Sequence, residues 1–154
     1  YIQAKNQYYG MDICPAYWDW LDLQFEQGLI GSVDMISREL RDGNDDLADW
    51  VRERPGHFIS NDDEATQSAF AAIVQSVMEG DYNAGNRDSF LAKADPWIIA
   101  KAQCLGATVV THESVVAPNA RKVKVPNICQ QFDVTCINTF QFLRELNARF
   151  VLGT

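Results

Sequence analysis

An α/β fold with a parallel sheet is what this sequence predicts, and three observations predict it. Residues 92–113, AKADPWIIAKAQCLGATVVTHE, couple a helix directly to a short apolar strand. The alternation of amphipathic helix and brief apolar segment recurs on either side, with a strand signal at 57–59 before a helix and another at 134–137 before the last one. The chain has 154 residues, 47% of them hydrophobic, which is enough for one domain with a proper core. In the 92–113 stretch, a helix of about 10 residues climbs about 15 Å and a strand of about five residues returns about 17 Å. Asp95 and Glu113 therefore fall at one edge of the sheet. That edge, outside the carboxyl ends of parallel strands, is where open α/β sheets carry their ligand sites.

The elements follow in order. Residues 1–10, YIQAKNQYYG, are aromatic and apolar around Lys5 and Asn6 and read as the end of a strand passing into a turn. Pro15 opens a helix that stops at Gly28, with Trp18, Leu21 and Phe25 on its core face. Ser32 is the expected cap of a helix with Val33, Ile36 and Leu40 inward and Glu39 at the stripe's border. Residues 41–54 read as one charged helix carrying Leu47, Trp50 and Val51, ended by Pro55-Gly56. After the strand at 57–59, the acids of 61–64 suit the first turn of a helix that runs through Ile73 and Val77 to Gly80. A short helix over 86–93 leads to Asp95-Pro96, the predicted cap and first position of the next helix, which Gly106 stops before the strand at 107–110. A loop with Arg121, Lys122 and Lys124 precedes a helix from Pro126. After the strand at 134–137, Asn138 or Thr139 caps the final helix through Phe140, Leu143 and Leu146.

Composition excludes several classes. No apolar run reaches the roughly 18 residues of a membrane span, and no secretory signal pattern is present, so a cytoplasmic protein away from membranes is expected. Cys14, Cys104, Cys129 and Cys136 form no CxxC pair, which disfavours a zinc site or a disulfide framework. The net charge of −8 argues against nucleic-acid binding by bulk attraction. The charge is uneven, however: residues 1–85 carry 16 acids against 5 bases, and residues 86–154 carry 5 acids against 8 bases. A polyanion would approach the second half. No glycine-rich phosphate loop follows any strand, which weakens a nucleotide-binding doubly wound reading.

Glu39, Asp95 and Glu113 share the predicted edge. Carboxylates gathered there repel one another unless a cation sits among them, and hard oxygen ligands suit Mg²⁺ or Mn²⁺. Phosphodiester hydrolysis is the chemistry that most needs such an arrangement. His112 lies between Thr111 and Glu113, where strand alternation directs it to the opposite, structural face. Lys5 and Asn6 fit either a turn or a role in reaching phosphate.

The order of an early helical Glu within SREL, then DPWIIA, then a strand ending VVTHE resembles the PIN-domain nucleases, in particular a PIN-like family of bacterial proteins. AKNQYYG, DICPAYWDWL, KVKVPNIC and NTFQFLRELNARFVL extend the resemblance along the whole chain. It implies a three-layer α/β/α sandwich with a parallel sheet, one PIN-like domain over 1–154, and Mg²⁺- or Mn²⁺-dependent endoribonuclease activity on RNA. It further implies the toxin of a toxin-antitoxin pair, with a cognate antitoxin and a possible homodimer. Glu39, Asp95 and Glu113 correspond to family acids that act as catalytic metal ligands, and Thr111 to the hydroxyl that steadies the last strand end. Lys5, Asn6, Lys122 and Lys124 are the candidate substrate contacts. The family's first strand and its first acid, in an Asp-x-Asn, would precede Tyr1. The competing expectation is a PIN-like binding or scaffold protein without turnover, favoured by glutamate where the last acid is more usually aspartate.

Overall fold

The computed structural model describes residues 1–153, and the fold is mixed α/β with parallel strand pairing. The chain opens on a helical turn that closes as a π-helix over Ala4–Tyr8, where the sequence predicted a strand end. Helix α1 (Pro15–Glu26) follows, with proline in its first turn as expected. Strand β1 (Ser32–Val33) then runs directly into α2 (Asp34–Arg41). Ser32 is therefore a strand residue and not the helix cap; the cap position is Val33, and a two-residue strand is too short to leave an alternation signal.

The single helix predicted over residues 41–54 is two elements. Helix α2 stops at Arg41, and α3 (Asp46–Arg52) begins afresh because the Asp45 carboxylate accepts the Ala48 N–H at 3.0 Å. Strand β2 (Phe58–Ile59) leads to α4 (Glu64–Glu79), capped by Asp63 as the acidic run predicted. Next come α5 (Ala84–Ala92), capped by Asn83, and α6 (Asp95–Leu105), which ends on left-handed Gly106 at φ 64°. Strand β3 (Val109–Val110), α7 (Val125–Gln131), β4 (Cys136–Ile137) and α8 (Thr139–Glu145) complete the chain. Asn138 caps α8 in a reciprocal box with Gln141.

Strand β1 pairs in parallel with β2, and β3 pairs in parallel with β4, as two separate two-stranded sheets in place of the one sheet predicted. Helix α6 packs against both β1 and β3 and so bridges the two sheets. Among the described residues no strand is hydrogen-bonded to both pairs. Each sheet has its own core. Trp18, Leu21, Leu40, Trp50, Val51 and Phe58 pack on one side, and Ile73, Val77, Ile99, Val109, Ile128 and Cys129 on the other. The split accounts for how α6 is used: Ile99 and Ala100, both fully buried, anchor it in the second core while it also reaches β1. Among the described residues no helix is long and apolar enough to cross a membrane, and all four cysteines are free.

Candidate functional site

Strand polarity fixes the edge that matters. Asp34 follows β1, Asn61 lies just past β2, Thr111 and Glu113 follow β3, and Asn138 follows β4, so all occupy carboxyl ends of parallel strands. Helix α6 leads into β3 through a tight left-handed turn and runs back against it, which returns its N-terminus, with Asp95, to the same edge. Asn61 is buried and its amide donates to Asp34 Oδ1 at 3.0 Å, tying β1 to β2 there; its own Oδ1 has no partner among the described residues.

Asp95 is not the helix cap that the Asp-Pro pair predicts. It is the first helical residue, the cap position belongs to Ala94, and Pro96 takes the second position. Glu39 does part of the capping work instead: the Ala94 N–H donates to Glu39 Oε1 at 2.7 Å, so an acid from α2 steadies the start of α6. Glu113 does the same for another helix, accepting the Val125 N–H at 2.7 Å at the start of α7. Thr111 Oγ1 accepts the Glu113 N–H at 3.2 Å and so fixes the turn that carries this acid.

The three acids meet electrostatically. Asp95 is half-buried, and its carboxyl is pushed up to about 6, first by burial and then by the negative charges of Glu113 and Glu39. Lys93, two residues upstream, partly offsets them. The Asp95 carboxylate has no hydrogen bond among the described residues, while Glu39 and Glu113 each keep one oxygen free. Among the described residues no three acids, histidines or cysteines stand in a spacing that would enclose an ion. The donors are nonetheless of the right kind, since Mg²⁺ keeps several waters and is held through one or two carboxylates more often than by a closed protein cage.

A groove of about 600 Å³ opens beside Glu113, lined by Thr111, His112, Glu113, Cys136, Asn138 and Phe140 among others; Asp95 and Glu39 are not part of its lining. His112 is exposed on it, against the expectation of a structural residue on the opposite face. Strand β3 ends at Val110, so alternation no longer governs position 112. Lys5 is held elsewhere: its ammonium pairs with Asp45 at 2.8 Å and Asp46 at 3.3 Å, at the start of α3. Asn6 is exposed on the same π-helical turn. Lys124 occupies the cap position of α7, next to the Val125 N–H that Glu113 accepts, and Lys122 is exposed just before it. The backbone of Lys124 thus adjoins the contact that Glu113 makes, and Lys5 is committed to an ion pair.

A family model matches residues 1–150. The chain belongs to the DUF4411 family, a domain of unknown function. No curated protein and no solved structure matches it. For this DUF4411 chain, then, the site rests on its own geometry. Sequence reasoning missed Lys93 and the Asn61–Asp34 bond. The only available signal for Lys93 was its place two residues before Asp95, and the Asn61–Asp34 partners are 27 residues apart with no spacing rule to connect them.

Proposed function

We propose that this protein is a metal-dependent endoribonuclease with a PIN-like three-layer arrangement, hydrolysing RNA phosphodiester bonds as the toxin of a toxin-antitoxin pair. The observation that carries the reading is Asp95: a half-buried carboxylate without a hydrogen bond among the described residues, held at a helix start where Glu39 and Glu113 repel it. Such an arrangement is costly without a cation and is the kind that phosphoryl chemistry uses. Asp95, with a free oxygen of Glu39 or Glu113 reached directly or through water, would hold a hydrated Mg²⁺ or Mn²⁺, which when bound supplies a more acidic water and screening of phosphate charge. Without metal the Asp95 carboxyl is pushed up to about 6 by burial and the two neighbouring acids, and a cation there would draw it back to its ionised form. Glu39 and Glu113 orient the starts of α6 and α7, and Lys93, Lys122 and Lys124 supply positive charge along the approach of a polyanion.

The test is cleavage of a labelled RNA with Mg²⁺ or Mn²⁺, comparing wild type with Asp95→Asn. Loss of about 100-fold or more in the variant, with the fold intact, is the expected result for removing a metal-holding carboxylate. Equal cleavage by both proteins would refute it. One observation favours a second reading, a PIN-like binding protein without turnover: Glu39 and Glu113 each devote an oxygen to a helix N-terminus, a structural duty that needs no metal. RNA binding without cleavage by wild type at any Mg²⁺ or Mn²⁺ concentration would decide for it.

A further inference from the structure

Two of the four free cysteines are neighbours in space. Helix α7 ends at Gln131, and the chain then reverses through left-handed Asp133 at φ 55°, with the Val134 N–H donating to the Cys129 carbonyl at 2.9 Å. The reversal lays β4 back against the helix that precedes it. Cys129, near the end of α7, and Cys136, the first residue of β4, therefore pack together in the second core, where their thiols share a hydrogen bond. Their surroundings differ. Cys129 is fully buried, whereas Cys136 is half-buried and lines the groove beside Glu113. The remaining two thiols are placed otherwise: Cys14 lies against the first core, and Cys104 is exposed on α6. A buried cysteine alone is explained by packing as a small apolar residue. A covered thiol in contact with a second one that a small molecule can reach is the arrangement that a resolving and an attacking cysteine need.

We propose that Cys136 and Cys129 form a reversible disulfide, with hydrogen peroxide or an organic hydroperoxide as the oxidant, so that the pair is a redox-modified site in the wall of the groove. Cys136, the accessible sulfur, gives up its proton and attacks a peroxide oxygen. The O–O bond breaks, Cys136 becomes a sulfenic acid, and the departing oxygen leaves with that proton as water or alcohol. The Cys129 sulfur then attacks the Cys136 sulfur: the S–S bond forms, the S–O bond breaks, and the hydroxyl leaves as water with the Cys129 proton. Two electrons have passed from the two thiols to the peroxide. A small dithiol reverses the step by attacking Cys136 from the groove, releasing Cys129 and becoming oxidised itself. A disulfide requires Cβ atoms that face one another, and side chains already sharing a hydrogen bond meet that condition. The bond would tie α7 to β4. It is independent of the nuclease reading, in which neither sulfur has a role.

The experiment uses the full chain, reduced with dithiothreitol and freed of it without air. Stoichiometric hydrogen peroxide should lower the thiols titrated in denaturant from four to two, with the intact mass down by two hydrogens. Unreduced peptide mapping should join Cys129 to Cys136, and fresh dithiothreitol should restore all four thiols. In Cys129→Ala the Cys136 sulfenic acid has no partner to resolve it and should be trapped by dimedone. Cys136→Ser should leave Cys129 untouched by peroxide, and Cys104→Ser should keep the disulfide. Four thiols after peroxide, a bond to Cys14 or Cys104 or between two chains, or a dimedone adduct on wild-type Cys136 that never resolves would each overturn the proposal. The wild-type map decides by itself should a variant fail to fold.

Discussion

Replacing Asp95 with asparagine tests, through stability alone and before any substrate is known, whether burial and the neighbouring acids hold a proton on this carboxyl. The Asp95 carboxyl is raised from 3.8 to about 6 by burial and by Glu113 and Glu39. At 1.36 kcal/mol per pH unit this is worth about 3 kcal/mol. The native state holds the proton more tightly than the unfolded chain, so this group favours folding at low pH and loses that advantage as pH rises from its unfolded value through about 6. Between about pH 4.5 and about pH 7.5, about 2 of those 3 kcal/mol fall away. Asparagine has no such ionisation. Urea unfolding of both proteins should therefore show Asp95→Asn gaining about 2 kcal/mol relative to wild type across that interval. His57 works in the opposite direction: burial lowers it from 6.5 to about 4, so its protonation opposes folding as pH falls through this range. It is present in both proteins and cancels in the difference, as does any pH-independent change in capping. A difference that stays constant with pH, or that shrinks as pH rises, would refute the claim that burial, Glu113 and Glu39 raise the Asp95 carboxyl.

Two further outcomes follow from single contacts. Glu113→Ala leaves the Val125 N–H at the start of α7 without its acceptor and should cost about 1 kcal/mol in urea unfolding, whereas Glu113→Gln keeps an acceptor oxygen and should cost less than about 0.5 kcal/mol; equal losses would show that the cap is not what Glu113 contributes to stability. Gly106→Ala meets no atom within 4 Å but forces alanine to φ 64°, so it should lower stability by about 1 kcal/mol through backbone strain alone, and an unchanged thermal midpoint would contradict the left-handed helix end.

Local chemistry was legible in the sequence wherever a single residue dictates its own backbone. Gly106 as the end of α6, Pro15 at the start of α1, Asp63 as the cap of α4 and Asn138 as the cap of α8 all stand where residue type placed them, because caps and left-handed stops depend on atoms only a few bonds apart. The proximity of Asp95 to Glu113 was legible for a similar reason, since helix rise and strand rise over a short span leave little freedom. Tertiary structure alone decided the rest. Two-residue strands such as β1 leave no period to detect, so Ser32 read as a cap until its pairing with Phe58 defined it as strand. The division into two small parallel sheets bridged by α6 depends on which strands find partners, and no local pattern records that. Asp95 read as a cap from its neighbour Pro96, yet the oxygen near that helix start comes from Glu39, 55 residues away. Tyr8, His112 and Phe140 meet for the same reason: packing of distant segments brings their rings together, and sequence spacing carries no trace of it.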